Sequence, residues 1–529
     1  MVLVTSLSKS DILEEIWETV PVGAPDPTDP AVLARLSELT QQLIDVTGRK
    51  SLSLDPFTDV YARRVVINRP KIKSILKNKV VLITGGQGFV GTNLIAKLQQ
   101  FGVKKVVSVD ITDDRSQLVK IDTTETNFDI PVSYYTGDVR DLAALQNIFD
   151  LEHPQVVFHL AAERLPGLAE KRVHHTVSSN ILGCEHIIQL CEKNQVEACI
   201  FSSTGKASRY FTPDIYAASK KIAEWLFSDN SQPRQCKYGI VRFTHVIENS
   251  PVSSDMDKRV AAGVVTMHAP DRHIYTQNIE ESVNLLLNAL TILKPGQTKL
   301  LAVKDIGWPI NTLDLALHKI LLSGRTDIPI YFKGIPAGYE RHVFMGQLDL
   351  SGERDMLPML NVLETGCSEI SKAGDTVMSA ITPFDVTVLH QCMDDIRDAV
   401  KSTDTDIKKT VIDSIEQIAL SSFLLANPFK LLDILGWGIN SLEMELGGVD
   451  ITYYKETVRL LVRGVGIAPA KRVVASASLD EQLPQPAVTD TLTIHEPESL
   501  LAHIPTGCTQ AKKKQQQIPL TNSCIAIAK

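Results

Sequence analysis

The sequence predicts an α/β fold, a doubly wound parallel sheet with a small additional lobe and with helical extensions at both ends. Short runs of β-branched residues alternate with helical stretches from residue 79 to about residue 363, which is typical of successive strand–helix–strand units. The runs are apolar nearly throughout, as expected for strands covered on both faces. The predicted strands are residues 80–83, 106–109, 156–159, 199–202 and 239–243.

The length and composition of the chain exclude several classes of protein. The chain has 529 residues, of which 44% are hydrophobic and 22% charged, so neither a wholly disordered protein nor a fibre fits. A net charge of -8 gives no bulk reason to expect binding to nucleic acid or to an anionic membrane. The start lacks the order of a signal peptide and no apolar stretch reaches about 18 residues, so we predict a cytoplasmic protein without a membrane span. The eight cysteines are scattered, and we predict no metal site.

The helical pattern divides the chain into four parts. Residues 1–75 are predicted to be a helical N-terminal extension, in which Leu36, Leu39 and Leu43 share a face with Val32 and Gly48 ends the helix. Residues 76–365 contain the strand–helix units. Residues 366–470 are predicted to be a helical C-terminal region and residues 471–529 a largely disordered, Pro-rich and polar tail. The apolar stretch 423–446 is interrupted by charged residues and Pro428, which favours a packed helical pair over an interfacial anchor.

A glycine-rich turn follows the first predicted strand. Gly85, Gly88 and Gly91 have the spacing G-x-x-G-x-x-G, and Phe89 and Val90 open the next helix. A turn of this kind lets the backbone approach a pyrophosphate at the helix N-terminus. The order of strand, turn, helix and second strand therefore predicts a dinucleotide site on a Rossmann-type sheet.

Three further positions belong to the same predicted site. Asp110 lies nineteen residues after Gly91, where a carboxylate can accept from an adenosine ribose 2′-OH. Asp110 favours NAD, whereas Arg115 keeps NADP open. Asp138 is predicted either to accept from the adenine amino group or to cap a helix. Ala161 lies among small residues after the fourth strand, as a backbone close to a cofactor requires.

A second motif predicts redox chemistry. Tyr216 and Lys220 are separated by one helical turn, so both lie on the same face of a helix. A phenol is a poor base at neutral pH, but a neighbouring ammonium stabilises its phenolate. Thr204 ends the preceding strand and is predicted to share the oxygen of the substrate. We therefore predict that Tyr216 removes a hydroxyl proton as hydride passes to the nicotinamide, with Lys220 also serving the nicotinamide ribose.

These motifs resemble the extended short-chain dehydrogenase/reductase superfamily, and more narrowly its capsular polysaccharide-biosynthesis branch, which contains nucleotide-sugar 4,6-dehydratases and epimerases. The resemblance covers residues 76 to about 363 and adds the segments 180–183, 242–243, 272–279 and 334–340. It implies a small substrate-binding lobe, with Asn180 and Arg272 as substrate-binding residues and Arg272 meeting an anionic group. It also implies a homodimer, in which the helix carrying Tyr216 and Lys220 packs against a second copy.

The chain departs from this branch around the substrate. Where the branch has S-T-D-K, this chain reads Ser-Thr-Gly-Lys, so Gly205 replaces the acid that assists water elimination, whereas Lys206 is retained as a candidate catalytic residue. Arg164, which is predicted to bind substrate, occupies the Lys position of the branch's A-A-L-K-H-V-P, and Glu163 is an acid near it. Residues 335–340 lack the Arg that contacts the diphosphate of a sugar nucleotide, and His245 replaces an Asn.

The sequence thus predicts an NAD-dependent oxidoreductase that resembles nucleotide-sugar dehydratases and epimerases and oxidises a substrate hydroxyl to a ketone. Gly205 argues against efficient dehydration. One alternative is a reductase or dehydrogenase for a small molecule of secondary metabolism that is not a sugar nucleotide, because the diphosphate Arg is absent. Another alternative is a scaffold that binds NAD without turnover, which the pairing of Tyr216 with Lys220 disfavours.

Overall fold

A computed structural model of the chain describes residues 7–112, 130–229, 231, 233–249, 251–307, 309–339, 357–438 and 454–476. In chain order its strands are β1 (Val80–Thr84), β2 (Lys105–Asp110), β3 (Val132–Thr136), β4 (Val156–His159), β5 (Ala198–Thr204), β6 (Lys237–Phe243), β7 (His245–Val246), β8 (Val265–Met267), β9 (His273–Ile274), β10 (Thr276–Gln277), β11 (Lys299–Val303), β12 (Ile310–Asn311), β13 (Ile330–Phe332), β14 (Glu369–Ile370) and β15 (Thr376–Ala380).

The helices surround these strands and extend beyond them at both ends of the chain. They are α1 (Lys9–Thr19), α2 (Pro30–Thr47), α3 (Arg49–Leu52), α4 (Thr58–Ala62), α5 (Arg69–Leu76), α6 (Phe89–Leu98), α7 (Leu142–Glu152), α8 (Pro166–Lys171), α9 (Val173–Val177), α10 (Gly183–Lys193), α11 (Ile215–Ser228), α12 (Pro251–Ala262), α13 (Ile279–Ile292), α14 (Thr312–Ser323), α15 (Val362–Thr365), α16 (Val386–Lys401), α17 (Ile407–Leu425), α18 (Pro428–Gly438) and α19 (Lys455–Ser476).

The large sheet has the strand order β14-β15-β11-β6-β5-β4-β1-β2-β3. Its strands from β11 to β3 pair in parallel, and helices cover both faces. Every residue of β1, β4 and β5 is buried, because strands in the middle of such a sheet have no solvent side. The predicted doubly wound parallel sheet and all five predicted strands are confirmed. The chain reverses its direction of winding between β1 and β4, and crevices for ligands form at such switch points.

The small lobe is built from three short strand pairs, β7 with β10, β8 with β13 and β9 with β12. The N-terminal helices α1 and α2 pack against it, since Ile16 and Leu39 share a core cluster with Leu317 and Phe332. Helix α2 ends at Gly48, which has a φ of 98°, as the sequence predicts. Helices α1 and α2 therefore cover the lobe, whereas α5, through Ile72, joins the core of the large sheet.

The C-terminal region differs from the helical region predicted from residue 366 onward. Residues 369–380 first add β14 and β15 to the sheet: β15 pairs antiparallel with β11, and β14 pairs antiparallel with β15. The segment of β15 is short and mixes apolar residues with Thr376 and Ser379, so it shows little strand periodicity in the sequence. The helices begin only at Val386. The tail was predicted to begin at residue 471, but α19 continues to Ser476, so that boundary was wrong; residues 477–529 lie outside the described residues.

Helices α16 and α17 then pack against α11, the helix that carries Tyr216. Ile222 and Trp225 of α11 share a buried cluster with Ile415 and Phe423 of α17. This surface is the one through which the sequence predicts a homodimer, so a four-helix dimer cannot form there while the chain's own helices cover it. A homodimer through another surface stays a prediction.

Helix α18 forms a bent pair with α17. Within the residues that the structure describes, no single helix is long and apolar enough to span a bilayer; the two helices together reach the required length and hydropathy but meet at an angle of 116°. Leu431 and Ile434 of α18 are buried in the cluster around α17. The two helices therefore pack against each other as predicted, and the cytoplasmic location stays a prediction.

Candidate functional site

The glycine turn between β1 and α6 is too tight for side chains. Gly85 has a φ of 70°, and a Cβ atom added there would lie 2.8 Å from the amide nitrogen of Ala161. A Cβ atom on Gly91 would lie 2.7 Å from the Cα atom of Gly86, well inside van der Waals contact. Gly88 occupies the N-cap position of α6. The backbone of the turn thus packs directly on β4, as a pyrophosphate site requires.

The first turn of α6 completes this geometry. Phe89 and Val90 begin the helix and are only partly buried, so the N-terminal end of α6 is accessible at the sheet edge. The free N–H groups and the dipole of a helix N-terminus favour an anionic group there. The residues present therefore fit the phosphates of a dinucleotide.

Asp110 ends β2 beside this turn. Its carboxylate accepts hydrogen bonds from the backbone N–H groups of Gln87, at 3.0 Å, and Ile111, at 2.8 Å. Burial raises the pKa of Asp110, and these N–H groups act in the opposite direction. The carboxylate is thus tied to the glycine turn at the predicted ribose position. Arg115, which keeps NADP open, lies outside the described residues.

Asp138 lies just beyond β3, but it does not cap a helix. Asp141 caps α7, accepting from the N–H of Ala144 at 2.9 Å, so that alternative was wrong. Asp138 instead forms an ion pair with Arg140, which holds the pKa of its carboxyl below the ordinary value. The sequence did not distinguish the two because both acids precede α7 by a few residues. An interaction with adenine stays a prediction.

Tyr216, Thr204 and Lys220 come together at the carboxyl end of β5. The hydroxyl of Thr204 lies close enough to the phenol of Tyr216 to lower the pKa of that phenol. Lys220 is buried one turn along α11, where its ammonium donates to the carbonyl of Ser202 at 2.9 Å and lies 4.7 Å from the centre of the Phe201 ring. Burial lowers the pKa of Lys220 to about 8. The predicted redox residues therefore occupy one place.

The loop after β4 faces the same tyrosine. Arg164 is exposed there and lowers the pKa of Tyr216, against the larger effect of burial, which raises it. The side chain of Asn180 accepts from the N–H of Glu163 at 2.8 Å and donates to the hydroxyl of Ser219 at 3.0 Å. Asn180 is 1% exposed. It therefore joins this loop to α11, and we assign it a positioning role instead of the predicted contact with substrate.

Asn180 lies in a π-helical turn, Ser178–Leu182, between α9 and α10. Such turns often occur at functional sites, because the extra residue redirects side chains. The sequence segment 180–183 was recognised only by resemblance. No local pattern in it predicts the π turn.

Basic side chains cluster on the other side of Thr204. Partial burial lowers the pKa of Lys206 to about 7, and the positive charges of Arg209 and Arg272 act in the same direction. His245, whose ring lies near Tyr275, has its pKa lowered to about 4 by burial and by Lys206 and Arg272. The predicted residues Lys206 and Arg272 are thus brought together with His245. This end of the sheet carries an excess of positive charge suited to an anionic substrate.

Tyr339 lies in the segment that lacks the family's diphosphate-binding Arg. Its ring centre lies 5.6 Å from the guanidinium carbon of Arg272 and 5.1 Å from the centre of the His268 ring. A Cβ atom on Gly167 would lie 2.9 Å from the same ring. Tyr339 therefore orients Arg272, a contact that the sequence does not reveal because the two residues are far apart in the chain.

A buried ionic network below the site was also missed. Arg242 is fully buried and forms ion pairs with Glu224, at 2.7 Å, and Glu364, at 2.6 Å. The same guanidinium donates to the carbonyl of Met359 at 2.9 Å. The apolar run of β6 marks Arg242 as a buried charge, which would have been a signal for acidic partners. Within the described residues, no cluster of His, Cys, Asp and Glu is suited to a metal.

Comparisons with known proteins show which sequences and structures this chain is similar to. The chain is 27% identical over 302 residues to a probable polysaccharide biosynthesis protein EpsC of Bacillus subtilis, covering 56% of this chain and 47% of the relative. It is 25% identical over 231 residues to a UDP-N-acetylglucosamine 4,6-dehydratase (inverting) of Campylobacter jejuni, covering 42% of this chain and 66% of that enzyme. The structure of Pen from Bacillus thuringiensis matches with a TM-score of 0.48 and 21% identity, covering 58% of this chain and 87% of Pen.

The chain spans about half the length of the first of these curated relatives. The profile of the family described as "Polysaccharide biosynthesis protein" matches residues 81–348. That match includes the glycine turn, the helix of Tyr216 and Lys220, and Arg272. Because it covers just over half of the 529 residues, the chain belongs to this family of polysaccharide biosynthesis proteins.

Proposed function

We propose that this chain is an NAD-dependent oxidoreductase that oxidises a hydroxyl of a sugar nucleotide to a ketone. The observation that carries the proposal is the contact of Tyr216 with Thr204 at the carboxyl end of β5, with Lys220 buried on the same helix. The glycine turn lies at the same edge of the sheet, two strands away. A proton acceptor and a dinucleotide-binding turn at one sheet edge are what hydride chemistry needs.

Tyr216 is the group that takes the proton of the substrate hydroxyl. Partial burial raises its pKa, which disfavours the phenolate, whereas the Thr204 hydroxyl and the Arg164 guanidinium favour it. The ammonium of Lys220 adds a second positive charge one helical turn away. Removal of the hydroxyl proton at Tyr216 makes the carbon–hydrogen bond of the same carbon a better hydride donor.

The turn residues Gly85, Gly88 and Gly91 would hold the pyrophosphate of NAD, and Asp110 its adenosine ribose. Bound NAD would supply the acceptor for the hydrogen on the carbinol carbon. The Asp110 carboxylate, held by two backbone N–H groups, would carry like charge toward a 2′-phosphate, which favours NAD over NADP.

The ketone acidifies the neighbouring carbon–hydrogen bond, so epimerisation, dehydration or release can follow. Dehydration needs a proton donor beside the departing hydroxyl. The branch has an acid for this role where this chain has Gly205, which supplies no proton. We therefore propose that the reaction ends in epimerisation or in simple oxidation and reduction.

The test is incubation of the purified full chain with NAD and a panel of UDP- and dTDP-sugars, followed by mass analysis of the products and of solvent deuterium incorporation. We expect oxidation or exchange of substrate hydrogen with solvent. Rapid, complete formation of a product lighter by one water molecule would contradict this proposal and show that the chain is a dehydratase.

A second candidate is a reductase or dehydrogenase for a small molecule other than a sugar nucleotide. The position of Tyr339 against Arg272 and His268 favours it, because an aromatic ring occupies the region where the family's Arg meets a diphosphate. Turnover of a non-nucleotide alcohol, with none of the sugar nucleotides, would support this candidate. Tight NAD binding with no turnover of any compound would support a scaffold.

A further inference from the structure

The residue opposite Gly205 is Met359, which comes from a distant part of the chain. A Cβ atom added to Gly205 would lie 2.9 Å from the sulfur and 3.0 Å from the terminal methyl of Met359. Gly205 does not have a positive φ, so its backbone accepts any side chain. Met359 is 2% exposed. The atoms closest to a Cβ atom at position 205 are therefore those of the Met359 thioether.

The segment that carries Met359 is held by polar contacts on both sides. The carbonyl of Met359 accepts from Arg242 at 2.9 Å, and Arg242 in turn pairs with Glu364. The side chain of Asn361 donates to the carbonyl of Ser208 at 2.9 Å. Because these groups are buried, moving the segment would leave polar atoms without partners. The backbone of the segment that carries Met359 is therefore held in place beside the end of β5.

Position 205 is next to the reacting groups. It follows Thr204, which contacts Tyr216, and precedes Lys206, whose N–H donates to the Thr204 hydroxyl at 3.3 Å. Elimination of water breaks a carbon–oxygen bond, and the oxygen leaves with the electron pair and gains a proton. A base takes the proton of the neighbouring carbon, whose electron pair forms the double bond. A thioether has no proton to give.

We propose that Met359 is a specificity-determining residue: its side chain fills the space of an acid at position 205 and so restricts the site to oxidation, reduction or epimerisation. This inference rests on the proposed function. Arg242, Glu364 and Asn361 act as positioning residues, since they hold the Met359 segment against the end of β5.

The experiment compares wild type with Gly205→Asp, Met359→Ala and the double variant, first by thermal unfolding without substrate. Gly205→Asp should lower the melting temperature, because the carboxylate collides with Met359. In the double variant, the combined loss should be smaller than the sum of the two single losses. Met393 is equally buried, at 2% exposure, but lies in α16, so Met393→Ala combined with Gly205→Asp should give additive losses.

The second measurement is product mass with the sugar nucleotide that the wild type oxidises. We expect the double variant to form product lighter by one water molecule at least tenfold faster than wild type and either single variant. Equal stability of Gly205→Asp and wild type, or additive losses in the double variant, would overturn the claim that Met359 fills this space. Non-additive losses with no gain in dehydration would overturn the specificity role. If the wild type oxidises nothing, the proposed function fails, while the unfolding data still decide the packing claim.

Discussion

The carboxyl edge of the sheet has two parts: a cofactor half around β1, β2 and β4, and a substrate half around β5 and β6. The two halves differ in how closely their residues follow the family pattern. Around β1, β2 and β4 lie the glycine turn, Asp110 and Ala161, which we propose hold a dinucleotide, and there is no room for a side chain at Gly85 or Gly91. Around β5 and β6, Gly205 stands where the family pattern has an acid, and Met359 lies against it. The cofactor half is constrained by contacts between backbone atoms, whereas the substrate half is shaped by contacts between side chains. Substitutions in the substrate half can therefore change the reaction without changing the sheet.

The largest expected effect is on the proton acceptor, which belongs to both halves. Tyr216→Phe should lower the rate of hydride transfer by a factor on the order of 10² to 10⁴ and leave the affinity for NAD within a few-fold, because it removes a proton acceptor and little packing. Single-turnover kinetics and calorimetry measure the two effects. The control is Tyr238→Phe, which removes a hydrogen bond to Glu192 at the opposite end of β6. Full turnover by Tyr216→Phe would mean that another group is the base.

The next prediction tests the cofactor half alone. Gly91→Ala should weaken NAD binding by roughly ten- to a hundredfold, since overpacking of this turn costs about 1–3 kcal/mol. Gly436→Ala, in α18, is the control, because a Cβ atom there meets nothing within 4 Å. Unchanged affinity in Gly91→Ala would show that the turn relaxes and does not define the site.

The preference between cofactors tests one side chain in the same half. The native chain should bind NAD(H) about tenfold more tightly than NADP(H), because Asp110 places a carboxylate where a 2′-phosphate would lie. Asp110→Asn should reduce that ratio, whereas Asp141→Asn, at the N-cap of α7, should not, since Asn caps a helix equally well. Equal or tighter binding of NADP(H) by the native chain would mean that Arg115 governs the pocket.

The smallest effect concerns pH and separates two neighbouring lysines. Burial lowers the pKa of Lys220 and of Lys221 to about 8. Below about pH 8 each is protonated in both folded and unfolded chains, and its unfavourable burial is fully present. Between about pH 8 and the ordinary pKa of 10.5, only the unfolded chain keeps the proton, so the free energy of unfolding should rise with pH by at most about 1.4 kcal/mol per pH unit for each lysine.

The variants Lys220→Met and Lys221→Met should each remove part of that rise, as measured by denaturant unfolding across this pH range. Only Lys220→Met should also weaken NAD binding. Lys221 points away from Tyr216, because its ammonium donates to the carbonyl of Ala207 at 3.1 Å and lies 5.0 Å from the centre of the Trp225 ring. A loss of NAD binding in both variants would contradict the claim that only Lys220 lies on the face of α11 that binds NAD.

The sequence predicted the places of the glycine turn, Asp110 and the helix of Tyr216 because the signals for them are local. The glycine spacing, the strand that ends at Asp110 and the one-turn separation of Tyr216 and Lys220 all lie within short segments whose backbone form follows from residue type. Met359, Tyr339 and Glu364 could not be predicted, since their contacts with Gly205, Arg272 and Arg242 join residues that are far apart in the chain. The same limit applies to β15, whose partner β11 lies about seventy residues earlier in the chain.

The packing of α17 on α11 has a consequence for folding. One side of α11 presents Tyr216 to the site, and the other side is buried against a helix that begins almost two hundred residues later. The reactive tyrosine and the C-terminal helices therefore belong to one cooperative unit, in which local opening of α17 exposes the apolar side of α11 to water. The amide protons of the two helices should therefore show similar protection from hydrogen exchange. A substitution that disrupts the C-terminal helices should then disorder α11 at the site, although Tyr216 and Lys220 are still present.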